Sequence, residues 1–221
     1  RDELILRGVP EVLLRFSNTL SQKTQKEISE WIVNEGKAGA RVLAVARKKV
    51  SSRKEYTSKL EEDDLEFLGL CSFSDPLKKT TRVALDDAKK LGVMVKILTG
   101  DSREVAGAIA KEVGLIEDAS EVITGEELQK LSDKKMHEAV SKYAVFARVS
   151  PQEKYHILEL LEEKYEVAFL GEGLNDAPAL KIAHVGLVVD SASDISREAA
   201  DVVLLDRSLS VVVDGIKEGR E

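Results

Sequence analysis

The chain has a single cysteine, Cys71, in 221 residues. No internal disulfide can form, and nothing calls for an oxidising compartment. In its run Leu68-Gly69-Leu70-Cys71 a lone cysteine reads as buried core. Positive charge is not in excess either. Lys and Arg number 33 against 40 Asp and Glu, a formal net charge of −7 with a pI near 5.3. That counts against a free-standing nucleic-acid binder, which would carry a basic surface. No apolar stretch approaches the ~20 residues of a membrane span. The opening Arg1-Asp2-Glu3-Leu4-Ile5-Leu6 lacks both a signal-peptide layout and an initiator Met, and it begins in strand-like sequence. A fragment of a longer protein is therefore expected. There is no internal repeat and no low-complexity segment. What remains is an ordinary globular balance, 43% hydrophobic and 33% charged, long enough for one large or two modest domains.

The two ends of the chain read differently. Residues 1–67 predict a strand over 3–6, a helix opened by Pro10 and running to Leu20, and a helix over 22–35 with Ile28, Trp31 and Ile32 at helical spacing. A strand over 41–46 follows, and then a charged loop over 47–64. Residues 68–221 predict alternating strands (65–73, 93–98, 145–147, 166–170, 185–189 and 202–205) and amphipathic helices (79–91, 102–113, 133–143, 151–164, 176–183 and 193–200). The strands are continuous apolar runs such as Val93-Met94-Val95-Lys96-Ile97-Leu98. This pattern belongs to a parallel sheet covered on both faces. The predicted fold class is α/β, a Rossmann-like parallel sheet with helices on both faces, preceded by a partial α+β domain.

Open parallel sheets bind ligands at the carboxyl ends of their strands, and two strand ends carry chemistry. In Leu98-Thr99-Gly100-Asp101-Ser102, Thr99 and the backbone N–H groups that follow can hold a phosphate oxygen at a helix N-terminus. Equally, Asp101 and Ser102 can simply cap the helix. In Gly171-Glu172-Gly173-Leu174-Asn175-Asp176, three oxygen-bearing side chains sit in five residues after an apolar strand. Hard cations such as Mg²⁺ take such ligands; an Asn-Asp turn capping a helix is the bland alternative. Ser150-Pro151-Gln152-Glu153 spells a capping box with Pro at the first helical position. It places Lys154 in a first turn at the same edge, either neutralising phosphate charge or standing as an ordinary surface lysine.

The order Thr-Gly-Asp, Pro-x-x-Lys, Gly-Glu-Gly-x-Asn-Asp resembles the haloacid dehalogenase superfamily. Four longer stretches look like its P-type cation-transporting ATPases: Asp75-Pro76, residues 95–101, Gly173-Leu174-Asn175-Asp176-Ala177-Pro178-Ala179-Leu180, and residues 199–204. Residues 188–195 and 215–220 look closest to the magnesium-transporting branch, with proton pumps as near neighbours. The resemblance implies that residues 1–67 are the C-terminal part of a nucleotide-binding domain and 68–221 a phosphorylation domain, with Asp75-Pro76 as the hinge. It implies Thr99, Gly100, Asp101, Lys154, Asn175 and Asp176 as catalytic, Glu172 and Asp176 as Mg²⁺ ligands, and Arg7, Gly8 and Arg41 as ATP contacts. Implied cofactors are Mg²⁺ and ATP. Implied partners are the rest of the pump: an upstream phosphorylation segment, an actuator domain and membrane helices. The location implied is the cytoplasmic side of a membrane.

Four departures qualify this. No Asp-Lys-Thr-Gly-Thr run is present, so covalent phosphoryl transfer has no acceptor, and the domain lacks its first strand. The strands near 93–98 and 166–170 would then close on each other, or the unpaired edges would drive self-association. Arg7 stands for a family lysine, which keeps the charge and changes the donor geometry. Glu172 stands for a family Asp, one methylene longer than octahedral Mg²⁺ prefers, and predicts weakened metal binding. His184, which also stands for a family Asp, reads as peripheral. The expected function is a catalytic-head fragment of an ATP-driven cation pump, inactive alone. The alternative is a stand-alone, non-catalytic binding or regulatory protein of the same fold.

Overall fold

In the computed structural model, which describes residues 2–17, 19–50, 65–206 and 208–220, the alternation near the N-terminus becomes a three-stranded antiparallel sheet. Its strands are β1 (Asp2–Gly8), β2 (Arg41–Val50) and β3 (Glu66–Phe73), in that spatial order. One face is covered by α1 (Pro10–Arg15): Leu13 packs with Ala44, Ala46 and Leu65, joined by Leu6, Phe16, Phe67 and Leu70. The other face carries Ile5, Arg7, Arg41 and Leu43, all exposed. Cys71, opposite Leu43 in the register, is exposed there as well, contrary to the buried position expected for it.

The α1 helix ends at Arg15 and not at Leu20. Ser17 explains the early stop: its hydroxyl donates to the Leu13 carbonyl at 2.7 Å while its N–H turns to Leu14, so the next helical bond is replaced. α2 (Gln22–Lys37) closes with Gly39 at φ 80°, and the Ala40 N–H reaches back to the Glu35 carbonyl. This is the left-handed exit for which glycine is suited. β2 continues four residues past the predicted strand end, through Val50, because its ladder with β1 runs on to Asp2 and Arg47 finds a partner across the sheet. Arg47 bonds the Glu66 carboxylate with two nitrogens, at 2.8 and 2.9 Å. Residues 51–64 of the expected loop lie outside the described residues.

The chain divides into two compact units between Pro76 and Leu77. β3 therefore sits in the first unit as an antiparallel partner of β2; the sequence had placed it at the head of the parallel strands.

The second unit contains α3 (Lys79–Lys90), β4 (Ile97–Leu98), α4 (Arg103–Glu112), β5 (Val122–Thr124), α5 (Gly125–Gln129), α6 (Asp133–Lys142), β6 (Val145–Ala147) and α7 (Pro151–Glu162). They are followed by β7 (Ala168–Gly171), α8 (Ala177–Ile182), β8 (Val185–Val189), α9 (Asp194–Ala199), β9 (Val202–Leu204) and α10 (Ser210–Glu218). All its strand pairs are parallel, in two sheets of order β4-β6-β5 and β7-β8-β9. Helices cover both faces of the first sheet. Phe146 joins Leu128, Val140, Ile157 and Leu161 on one side, while its neighbours Val145 and Ala147 join Ala106, Ala110 and Ile116 on the other. This is the α/β architecture expected.

The expected closure of β4 on β7 is not formed. Among the described residues β4 pairs with β6 alone and β7 with β8 alone. The two sheets instead share an apolar floor, in which Leu98 of β4 and Val167 before β7 both pack against the cluster around Leu158 of α7. Residues 93–96 lack a ladder and are not strand; Val93 and Val95 pack with Ala84, Ala88 and Val213, between α3 and α10.

Candidate functional site

The carboxyl ends of β4, β6 and β7 carry the chemistry-bearing segments. Thr99 follows β4, and its N–H is held by the Phe146 carbonyl. Its hydroxyl bonds the Asp101 carboxylate and accepts the Asp101 N–H, each at 3.1 Å. Ser102, not Asp101, caps α4. The segment after β6 crosses directly over this turn: the N–H groups of Arg148 and Val149 donate to the carbonyls of Asp101 and Thr99. Arg148 adopts φ 51°, the one non-glycine residue with positive φ among those described, and strain of this kind gathers where surrounding structure over-determines the backbone. Gly100 has no such requirement. Its φ is not positive, and an added Cβ would meet open space.

The predicted capping box opens α7. Ser150 N–H donates to Glu153 at 2.7 Å and Glu153 N–H to Ser150 Oγ at 3.2 Å. The Glu153 carboxyl is held below its usual range despite partial burial, because the Ser150 N–H, the Ser150 hydroxyl and Gln129 all favour its charged form. One residue on, Lys154 Nζ donates to Asp176 Oδ1 at 2.7 Å, with the two side chains 14% and 16% exposed. Lysine and aspartate are rarely buried to that extent unless paired.

Asp176 is held over the end of β7 by Gly171. A Cβ on Gly171 would stand 2.7 Å from Asp176 Cβ and 3.1 Å from the Phe169 ring, so only glycine allows this approach. Asp176 Oδ2 in turn accepts the N–H groups of Glu172 and Gly173 at 3.4 and 3.3 Å. The carboxylate thus ties the loop to the lysine, and both its oxygens are engaged. Glu172 and Asn175 are exposed. The structure brings Lys154, Asp176 and the backbone of residues 172–173 together, and joins Thr99 to Asp101 under the connection that leads into α7. Arg7, Gly8 and Arg41 lie in the first unit; both arginines occupy the face of its sheet opposite α1. His184 is at the amino ends of β7 and β8, where its Nδ1 accepts the Val167 N–H at 3.3 Å, on the far edge from these segments, as expected for a peripheral residue.

Two contributors were not read from the sequence in this role. Ser193, which opens the helix predicted over 193–200, caps α9; its N–H also donates to the Glu172 carbonyl at 3.3 Å. Ser196, wholly buried, donates to the Gly173 carbonyl at 2.8 Å. The short polar run after β8 was the available signal.

A family model described as haloacid dehalogenase-like hydrolase matches residues 5–184. The chain belongs to the haloacid dehalogenase-like hydrolases. Among curated relatives of this chain is an Escherichia coli K12 protein named "Magnesium-transporting ATPase, P-type 1", 46% identical over 183 residues, which are 82% of this chain and 20% of the relative. A Salmonella typhimurium protein of the same name is 41% identical over 186 residues, 83% of this chain and 20% of the relative. A Lactococcus lactis "Calcium-transporting ATPase 1" is 34% identical over 227 residues, 98% of this chain and 26% of the relative. The chain therefore spans about a fifth to a quarter of the length of these P-type relatives. No helix among the described residues is long and apolar enough to cross a membrane.

Proposed function

We propose that the chain is part of the cytoplasmic catalytic head of an ATP-driven P-type cation pump of the magnesium-transporting kind. The observation that carries this is the Lys154–Asp176 pair, set beside a glycine-flanked acidic loop at the carboxyl ends of parallel strands. In this reading residues 1–76 belong to the nucleotide-binding domain and 77–221 to the phosphorylation domain. Thr99, Gly100 and Asp101 hold the phosphoryl group, and Lys154 balances its charge. Arg7, Gly8 and Arg41 take the nucleotide, and the shared sheet face of the two arginines supports that role. Catalysis of this class is mainly positioning and charge neutralisation.

The donor set suits Mg²⁺: Glu172 and Asp176 are hard oxygen ligands, with the Asn175 amide beside them. No group of three His, Cys, Asp or Glu able to hold a metal occurs among the described residues. Mg²⁺ commonly uses one or two carboxylates, completing its shell with water and substrate phosphate. With both Asp176 oxygens engaged, Glu172 is the freer ligand. When bound, Mg²⁺ supplies neutralisation of phosphate charge; the chain's own residues orient the anion.

The sequence contains no Asp-Lys-Thr-Gly-Thr run, so this chain alone has no phosphate acceptor. A parallel strand from the rest of the pump, lying between β4 and β7, would pair with the edges that lack a neighbour among the described residues. Self-association through those edges is the alternative. A second reading, a non-catalytic binding or regulatory protein of the same fold, is favoured by the missing acceptor and by Glu172. Sequence upstream of Arg1 separates the two.

The test is calorimetric titration of the chain with Mg²⁺ and orthovanadate, beside incubation with γ-labelled ATP. We expect no covalent label, tighter Mg²⁺–vanadate binding in Glu172→Asp, and loss of vanadate binding in Lys154→Met. A Mg²⁺–vanadate affinity indifferent to both substitutions would sink the proposal.

A further inference from the structure

We propose that Ser193 and Ser196, at the start of α9, are positioning residues for the Glu172 loop, fixing the direction in which Glu172 presents its carboxylate. The inference rests on the reading of that loop as the cation-binding element. Ser196 Oγ donates to the Gly173 carbonyl at 2.8 Å and lies 2.8 Å from Ser193 Oγ, while the Ser196 N–H donates to Ser193 Oγ at 3.2 Å. A hydroxyl has one proton, and that of Ser196 is committed to Gly173. Ser193 must therefore donate to Ser196, which fixes the order Ser193 O–H to Ser196 Oγ to the Gly173 carbonyl. The Ser193 N–H is also committed, to the Glu172 carbonyl at 3.3 Å.

These bonds complete a set that Asp176 begins. The N–H groups of Glu172 and Gly173 are held by Asp176 Oδ2, and the Gly173 carbonyl also accepts the Asp176 N–H at 2.9 Å. The peptide joining residues 172 and 173 is thereby gripped at both its N–H and its C=O. The peptide before it is held at the Glu172 N–H, and the peptide after it at the Gly173 carbonyl, which accepts two bonds. Both backbone dihedrals of Glu172 are fixed while its side chain stays exposed. Ser196 is 0% exposed, and a buried hydroxyl is tolerated because it is bonded. Supporting groups of this kind orient metal ligands, and their loss typically weakens metal affinity by roughly 10-fold or more. With a carboxylate one methylene longer than aspartate, a fixed backbone is what limits the volume the Glu172 oxygens sample.

The experiment compares the native chain, Ser196→Ala, Ser196→Thr and Ser17→Ala by amide hydrogen exchange without cation and by amide chemical-shift titration with Mg²⁺ alone. Ser17 is the control, a buried serine donating to a backbone carbonyl in the other unit. We expect Ser196→Ala to speed exchange at Glu172 and Gly173 by roughly 2- to 10-fold, the worth of one hydrogen bond. We also expect it to weaken the Mg²⁺ response of residues 172–176 by roughly 10-fold, with Ser196→Thr restoring both and Ser17→Ala moving neither. Unchanged exchange at Glu172 and Gly173, or acceleration spread evenly over the second unit, overturns the proposal. If Ser196→Ala does not fold, Ser193→Ala is read by the same criteria. If the native chain shows no Mg²⁺ response, the cation reading fails, and exchange alone decides whether the serines hold the loop.

Discussion

Replacing one member of the Lys154–Asp176 pair isolates the interaction on which the site depends. Asp176→Asn keeps an oxygen for the N–H groups of Glu172 and Gly173 but turns an amide toward the Lys154 ammonium, which now faces a donor. Removing one partner of a buried ion pair costs about 3–5 kcal/mol. The side chains here retain 14% and 16% exposure, so some solvent relief is available, and we expect about 2–4 kcal/mol. For a unit of this size that lowers the melting temperature by roughly 5–15 °C. Lys154→Met alone leaves the Asp176 carboxylate its two backbone donors and costs less. The double variant removes both charges and recovers most of the loss, because apolar or neutral replacement of a buried pair is often near neutral. A double-mutant cycle by urea denaturation followed by circular dichroism therefore yields a coupling of about 2–3 kcal/mol between the two positions. The single tryptophan, Trp31, lies in the first unit and is not a probe for this transition. Strict additivity of the two substitutions, or an Asp176→Asn cost below about 0.5 kcal/mol, would refute the pairing.

Gly171→Ala drives a Cβ to within 2.7 Å of Asp176, and we expect overpacking to cost about 1–3 kcal/mol together with loss of Mg²⁺–vanadate binding; thermal denaturation and calorimetry check the two effects. His137 is held above its usual pKa because its ring donates to the Asp133 carbonyl and bonds the Glu163 carboxylate. A raised folded pKa gives stability that is complete below about pH 6.5 and lost as pH rises through the folded value, so the melting difference between the native chain and His137→Gln should shrink between pH 5.5 and pH 8.5.

Long, capped and periodic elements were legible in the sequence because their signals are local. Ser150-Pro151-Gln152-Glu153 states the start of α7 outright, and the structure realises both bonds of its capping box. β5 and α5 were not read. Val122-Ile123-Thr124 is too short to show a period, and its strand character comes from pairing with β6. α10 was missed although Val213 buries against Ala84 and Ala88, since that partner lies far away in sequence. In the site, Asp176 was legible as an acid near a strand end. Its two roles, lysine anchor and loop organiser, depend on Gly171 and on distances that no spacing encodes. The α9 serines show the same limit: a cap motif does not say which loop its remaining donors will meet.

Apolar content alone does not set burial in the parallel strands, and the edge strands differ among themselves: β5, with one strand neighbour, still buries Val122 and Ile123. Val145, Phe146 and Ala147 of β6, paired on both sides, are each 0% exposed. In β8, also paired on both sides, Gly186, Leu187 and Val188 are buried. β4 and β7 are just as apolar, yet each has one neighbour among the described residues. Leu170 is 39% exposed, and Ile97 and Leu98 are only half-buried. An apolar run predicts a strand buried on both faces only if packed elements exist to cover those faces, as they do over Val122 and Ile123. Here the run before Thr99 shortens to two paired residues, while Val93 and Val95 turn to the helices α3 and α10 for cover. The floor formed around Leu158 keeps the carboxyl ends of β4 and β7 in one unit without a ladder between them. Thr99 and Asp176 are thus positioned through α7, the helix that also supplies Lys154, and a substitution that loosens α7 from either sheet disturbs both halves of the site together.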